Sequence, residues 1–397
     1  MTAPTPFHPR TSELNESLAW KHWSGYYAAS SYREFVQPEY AAIRHAAAMI
    51  DVSPLYKYKI SGPDAEAFLN RVVTQNVTKL AVGQVVYTPW CDADGKMRQE
   101  GTLFRLAEDT YRLCAAEPCL DWLVLNAEGR DVVFEDESAQ MAALSLQGPN
   151  SRAVLRDAGV TAVDDLRFFR HAAGEIGGAP VEVSRTGYTG DLGYEIWLDS
   201  EAALNVWDAL MKSGEPYNIT PCGIAAMDVS RVEAGFILIG VDYVSSETAL
   251  IEADKSSPYE AGLGWAVKLK KGPFIGRRAL AQEKKNGSPW QLVGLTIDWD
   301  PLEKLFMDVG LMPELPYSVD REPVPLYAGL TGPQVGQVTS RVWSALLKKY
   351  IALATVETAY AREGTELAME VTVRYSRLRA PARVVKTPFY RPDRLKA

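Results

Sequence analysis

Arg185-Thr186-Gly187-Tyr188-Thr189-Gly190-Asp191-Leu192-Gly193-Tyr194-Glu195-Ile196 is the stretch that decides how this chain folds and what it holds. Three glycines spaced three residues apart permit positive-φ turns and a close approach of backbone to neighbouring groups. The spacing is not the G-x-G-x-x-G of a dinucleotide site, which follows a strand and opens a helix. Here the residues after Gly193 alternate as a strand does, with Tyr194, Ile196 and Leu198 on one face and Glu195 and Trp197 on the other. A carboxylate beside an aromatic ring suits a flat heterocycle with an N–H and an amino group on one edge, because its two oxygens accept parallel hydrogen bonds. A pterin has such an edge. An ion pair between Glu195 and a neighbour such as Arg185 accounts for the same residues without any ligand.

Outward from this stretch, residues 181–198 read as two strands about the glycine-rich turn, and residues 141–146 as a strand ending in Gln147-Gly148-Pro149. Residues 201–211 and 221–234 read as helices, the second with Thr220 as its N-cap and Pro221 at the first helical position. Alanine-rich residues 39–49 read as a helix. Between 51 and 137 the period changes: Tyr56, Tyr58 and Ile60 alternate with Lys57 and Lys59, and strands at 84–89, 101–106, 110–114 and 131–135 flank helices at about 64–73 and 118–127. That order fits a split β-α-β module. After a polar linker at 283–288, short strands at 292–297, 335–339, 350–355, 367–373 and 382–386 suggest a β-barrel or sandwich.

With 397 residues, 47% of them hydrophobic and 23% charged, the chain has room for two or three ordinary globular domains. A formal net charge of −8 lacks the broad basic field that nucleic-acid binding needs. One basic stretch, with Lys268, Lys270, Lys271, Arg277 and Arg278, is either a solvated loop leading into a helix or an anion site. The four cysteines, Cys91, Cys114, Cys119 and Cys222, form no Cys-x-x-Cys pair and lie far in sequence from the histidines, which points away from a metal and suits a reducing compartment. Residues 1–10 contain no apolar core of a signal peptide, and no apolar run of about 18 residues occurs. The expectation is a cytoplasmic chain with no metal, no nucleic-acid partner and no membrane association.

Residues 185–196 resemble the R-T-G-Y-T-G-E-x-G-[FY]-E-[IV] pattern of the glycine-cleavage T-protein (aminomethyltransferase) family, with Asp191 and Leu192 as conservative differences. Further motifs follow in the family's order: Asp51-Val52-Ser53, Ser61-Gly62-Pro63-Asp64-Ala65, Thr74-Gln75-Asn76-Val77, Leu146-Gln147-Gly148-Pro149, Arg231-Val232-Glu233-Ala234-Gly235, Phe274-Ile275-Gly276, Val338-Thr339-Ser340 and Pro388-Phe389-Tyr390. The likeness spans residues 32–390. It implies an α+β fold of three domains in a cloverleaf about a central cavity for tetrahydrofolate. Residues 1–50 with 138–282 would form a discontinuous folate-binding domain, 51–137 the split β-α-β domain, and 289–397 a C-terminal barrel. By the same resemblance Glu195 binds the pterin edge, Tyr87 and Tyr188 lie against the folate, and Tyr32 helps line the cavity.

Two departures bear on the chemistry. Where the family has G-G-[IV]-x-D-D, with its first aspartate facing the folate nitrogens, this chain has Gly95-Lys96-Met97-Arg98-Gln99-Glu100, so Gln99 stands in that place. A glutamine cannot accept a proton, and Glu100, one residue later on a strand, is expected to face the other way. Where the family has A-R-D, the chain has Ala226-Met227-Asp228, and a cation for a carboxylate is missing. These changes resemble the demethylase-like branches of the family, such as dimethylsulfoniopropionate demethylase, which pass a methyl group from a small methylated donor to tetrahydrofolate. In that layout the N-terminal aromatics, Trp20, Trp23, Tyr26, Tyr27 and Tyr32, are either core or a pocket wall, with Tyr27 and Tyr32 as donor contacts against a positive charge. Gln99 and Glu100 are the catalytic candidates. A folate-binding assistant of other enzymes is disfavoured because Pro273 replaces the cysteine of that branch's signature, while a flavoprotein or carrier-protein partner stays open.

Overall fold

Alternation along one strand divides the first lobe into two cores. The computed structural model describes residues 2–313 and 318–396. In it, Gly193–Asp199 sits inside a six-stranded sheet ordered His171–Ile176, Ala179–Ser184, Gly193–Asp199, Met141–Gln147, Ala47–Asp51, Ile219–Pro221. Tyr194, Ile196 and Leu198 pack under the helices Ser151–Asp157 and Ala203–Gly214 with Val154, Leu155, Val206 and Trp207. Trp197, on the opposite face, joins Ile43, Phe104, Ala226 and Val229 in a second core shared with the helices Gln37–His45 and Ile224–Glu233. The chain leaves this sheet at Asp51 and rejoins it at Met141, since Ala47–Asp51 and Met141–Gln147 pair antiparallel.

The intervening residues form a five-stranded antiparallel sheet, ordered Val85–Cys91, Met97–Ala107, Thr110–Ala115, Tyr56–Ser61, Val133–Asp136. Phe68, Leu69 and Val72 of the helix Ala65–Val72 and Leu123 of Leu120–Asn126 cover one face of it. The C-terminal lobe is a closed six-stranded barrel, ordered Trp290–Ile297, Lys349–Glu357, Gln334–Ser344, Val324–Tyr327, Glu366–Val373, Ser376–Val385. Closure leaves it no free strand edge. The architecture is therefore a three-lobed α+β cloverleaf with a C-terminal barrel.

Local expectations failed where sheet pairing overruled propensity. Residues 39–49 are not one helix: the helix is Gln37–His45, and Ala47–Asp51 is a fully buried strand held between two neighbours. Alanine's helix preference is too weak to resist that pairing. Likewise Pro221 does not open a helix. Ile219–Pro221 pairs parallel with Ala47–Met49 at the sheet edge, where a missing N–H is tolerated, and the helix starts at Ile224 after Gly223. The N-terminal hairpin Ala19–Trp23 with Tyr26–Ser31, the helix Trp299–Met307 and the strand Val324–Tyr327 had no counterpart in the sequence reading.

A buried ionic network ties the lobes together. Arg44 donates to Glu233 at 2.6 Å and to Asp191 at 3.3 Å, and both ion pairs are fully buried. Tyr40 and, from the barrel, Ser344 also donate to Glu233. Arg394, near the C-terminus, meets Asp191 at 2.6 and 2.8 Å and the Arg44 carbonyl at 3.1 Å. Each carboxylate is met by a guanidinium and by further donors, the condition under which buried charge is tolerable.

Candidate functional site

The three glycines of the opening stretch do different jobs. Gly187 and Gly193 flank the buried Gln147 carboxamide, and a Cβ at either would come within 2.3 or 2.1 Å of its oxygen. Only Gly190 has a positive φ, +69°, and a Cβ there would also meet the Ala234 side chain at 2.4 Å. The sandwiched Gln147 donates to Ser145 at 2.9 Å and accepts from Thr189 at 2.8 Å, which locks the loop to the strand Met141–Gln147, the neighbour of the one that carries Glu195.

Glu195 ends a short relay of neutral donors. The Trp197 indole N–H donates to Ser184 Oγ at 3.1 Å, Ser184 and Thr186 hydroxyls lie 2.7 Å apart, and Thr186 donates to Glu195 Oε2 at 2.5 Å. Such chains polarise one another toward the terminal acceptor. Arg185 does not take part: it turns to the Leu166 and Leu395 carbonyls at 3.2 and 3.3 Å. Glu195 makes no ion pair among the described residues, and burial raises its pKa above the usual carboxylate range, opposed by the Thr186 hydrogen bond. Its carboxylate lines a central cavity of about 890 Å³ bounded by all three lobes.

Tyr87, Glu100 and Tyr188 line the same cavity. Tyr87 pairs across the sheet with Thr102, so alternation puts Thr102 and Glu100 on the cavity face and turns Gln99 the other way. Gln99 is buried; its amide donates to the Pro118 carbonyl at 3.4 Å and accepts from the Glu117 N–H at 3.2 Å. The expected orientation is thus exchanged: the two side chains do face opposite ways, but Glu100 points inward. Its carboxylate accepts a hydrogen bond from the Tyr243 hydroxyl. Burial, and then the charge of Asp242, pushes the Glu100 pKa up to about 8. Burial also raises the Tyr87 and Tyr188 phenols. Tyr188 donates to the Ile237 carbonyl and stacks on Phe236 with ring centroids 5.7 Å apart.

Tyr32 and Tyr27 stand away from the cavity. Tyr32 is in the core beside Glu39, whose carboxylate accepts its backbone N–H at 2.7 Å, while Tyr27 is 45% exposed. Tyr27 pairs with His22 in the hairpin and Tyr32 follows its second strand; from the hairpin, Lys21, His22 and Trp23 reach the cavity. Trp20 packs on His8 instead.

Several lining residues were not foreseen. Trp265 stacks on Tyr87 at 6.1 Å, with its indole more than half exposed. Lys271, from the basic stretch at 268–278, does not line the cavity: it donates to the Asn70 and Val73 carbonyls, and burial lowers its pKa to about 7. Beside Met227, Asp228 accepts from the buried Arg231 at 2.7 Å and from Arg321 at 2.7 and 2.8 Å. Arg321 lies 93 residues away in sequence and brings a guanidinium to the cavity wall. The cation missing at position 227 is therefore matched by one from the third lobe.

Comparisons with known proteins identify the family and the fold. A family model described as the GCVT N-terminal domain matches residues 10–271, and one described as the glycine cleavage T-protein C-terminal barrel domain matches residues 309–391. The trimethylamine-oxide aldolase of Ruegeria pomeroyi is 35% identical over 409 residues covering 99% of this chain, which spans about half, 48%, of that relative's length. The aminomethyltransferase of Halothermothrix orenii is 33% identical over 389 residues, 97% of this chain and 99% of that one. The crystal structure of glycine cleavage system aminomethyltransferase T from Bartonella henselae matches with a TM-score of 0.81 over 98% of both chains at 24% identity, a likeness of fold. Among the described residues no helix is long and apolar enough to cross a membrane.

Proposed function

The chain belongs to the glycine-cleavage T-protein family, and from that premise we propose that it moves a one-carbon unit from a small methylated donor to tetrahydrofolate held in the central cavity. The observation that carries this reading is the pair of cavity-facing carboxylates, Glu195 and Glu100, each met by a neutral hydroxyl and neither ion-paired among the described residues. A buried carboxylate that serves structure alone is met by a cation or by several backbone donors, as Glu39 is by the Tyr32, Arg33 and Gly223 N–H groups. These two instead await a ligand's donors or positive charge.

The lining fits a folate. Glu195 Oε2 accepts from Thr186 with one lone-pair site still open, and Oε1 is unused, so both oxygens remain able to accept from the N–H edge of a pterin. Tyr87, Trp265, Tyr188 and Phe236 supply flat faces along the wall. About 890 Å³ lies at the upper end of the roughly 300–1,000 Å³ of small-molecule sites, room for two reactants together. When bound, tetrahydrofolate supplies the nitrogen that receives the carbon. The chain's own part is to hold the two reactants in line and to exclude water. With its pKa raised to about 8, Glu100 holds a proton near neutral pH; once ionised, it faces the donor as a negative charge inside a poorly solvated cavity.

A methyl donor is one reading, supported by Gln99 in place of an acid and by a relative that acts, by its name, on a methylated amine oxide. Transfer of an aminomethyl carbon, as in the relatives named aminomethyltransferase, is the second, supported by Glu100 facing inward. Incubation with tetrahydrofolate and a panel of methylated sulfonium, amine and aryl-ether compounds, read by mass spectrometry, separates them as 5-methyl or 5,10-methylene product. The cofactor site is tested by calorimetry: Glu195→Ala is expected to weaken tetrahydrofolate binding by roughly a hundredfold or more, the loss of two charge-assisted hydrogen bonds. Unchanged affinity would remove Glu195 from the site.

A further inference from the structure

Opposite in sign to Glu100 and Glu195, one wall of the cavity carries an excess of cations. Arg321 lines it with its side chain about a quarter exposed, spending Nε and one terminal nitrogen on the same oxygen of Asp228. The other Asp228 oxygen is taken by Arg231, which also bonds Asp242. Asp242 is saturated by the Thr339 and Ser340 hydroxyls and the Leu238 N–H. Lys21, from the N-terminal hairpin, lines the same cavity, and its ammonium has no hydrogen bond or ion pair among the described residues. Partial burial and then the Arg321 guanidinium lower its pKa, while Asp228 pulls it back. Lys21, Arg321 and Arg231 thus stand against two carboxylates that are already engaged, and one positive charge is left over.

Resting on the folate-transfer reading, we propose that Lys21 and Arg321 form a carboxylate-binding subsite of the cavity. A carboxylate there supplies the charge that Lys21 lacks and accepts from the Arg321 nitrogen not used by Asp228. The order of charge along the wall runs from Arg321 through Asp228, Arg231 and Asp242 to Glu100. It matches a reactant that is anionic at one end and neutral or positive at the other. Two sources share this chemistry: a zwitterionic donor such as a methylated amino acid, and the glutamate tail of the folate.

Calorimetry on the full chain with two matched pairs of probes decides. One pair is 5-formyltetrahydrofolate and 6-methyltetrahydropterin, the same kind of ring with and without the glutamate. The other is glycine betaine and choline, a methylated cation with and without a carboxylate. Lys21→Gln and Arg321→Gln are each expected to weaken the carboxylate-bearing member of one pair by on the order of ten- to a hundredfold, leaving its counterpart unchanged. Loss confined to the folate assigns the subsite to the tail; loss confined to betaine assigns it to the donor. The Lys21 side chain reaches solvent and its ammonium bonds no other described residue, so its variant keeps the test sound even if Arg321→Gln folds poorly. Equal binding of every probe by both variants and the unmodified chain overturns the subsite, as does failure of the unmodified chain to bind any of the four. If betaine binds and responds while neither pterin does, the folate reading fails and the subsite stands.

Discussion

Two sets of acidic side chains lie where the three lobes meet, and the protein treats them in opposite ways. Asp191, Glu233, Asp228 and Asp242 each face a guanidinium from Arg44, Arg394, Arg231 or Arg321, most with hydroxyl or backbone donors besides. Glu100 and Glu195, a few residues away in the same cavity region, each receive a hydroxyl, from Tyr243 and Thr186, with no cation among the described residues. The first set joins segments far apart in sequence, Arg44 to Glu233 and Asp228 to Arg321. The second joins residues to an open volume. The carboxylates that join distant segments are charge-compensated, whereas the two that face the cavity have a hydroxyl each and room for a ligand's donors, which is what the proposed function draws on.

The largest effect should come from breaking the compensated set. Arg231→Met leaves Asp242 buried with hydroxyl donors but no guanidinium, and strips Asp228 of one of its two cations. Removing one partner of a buried ionic cluster costs about 3–5 kcal/mol. We expect the first transition in a urea titration to move by that much, whereas Glu195→Gln, in the uncompensated set, should move it by less than about 1 kcal/mol. A silent Arg231→Met would erase the distinction between the two sets.

A second test uses protons. The folded Glu100 pKa is raised to about 8 from an ordinary value of 4.5, so between those two pH values the folded state binds more protons than the unfolded one. Stability must then fall as pH rises through that window, and the loss is complete above about pH 8. Glu100→Gln removes this contribution. Its melting temperature should match the parent's near pH 4.5 and exceed it increasingly toward pH 8. A parallel pair of curves would mean that Glu100 is solvated or paired after all.

What could be read before the structure was what short-range chemistry dictates. Alternation after Gly193 fixed the two faces of Gly193–Asp199 correctly, and the glycine spacing signalled close backbone approach, realised against Gln147. The facing of Gln99 and Glu100 could not be read from one strand, because period two says only that they differ; the cross-strand partner of Tyr87 decides which looks inward. Arg321 was invisible for a related reason: a loop arginine 93 residues from its carboxylate carries no local pattern. Trp265 did have a signal, an indole beside Gly264 just ahead of a basic run, but aromatic residues fill cores as readily as cavity mouths. Tyr27 and Tyr32 failed on that ambiguity.

The smallest expected effect isolates the neutral donor itself. Tyr243 is buried, and its hydroxyl donates to Glu100. Tyr243→Phe keeps the ring and removes the oxygen, so packing changes little. The ionised carboxylate loses a hydrogen bond worth about 1 kcal/mol, more than its protonated form loses, because bonds to charged acceptors are the stronger ones. The Glu100 pKa must therefore rise further, and the fall of stability with pH must shift to higher pH. Comparing Tyr243→Phe with Glu100→Gln and the double variant closes a cycle over the pair. If the phenylalanine variant lowers stability equally at pH 4.5 and pH 8, the phenol serves packing alone, and the carboxylate's raised pKa owes nothing to the balance between the Tyr243 hydroxyl and the cavity around it.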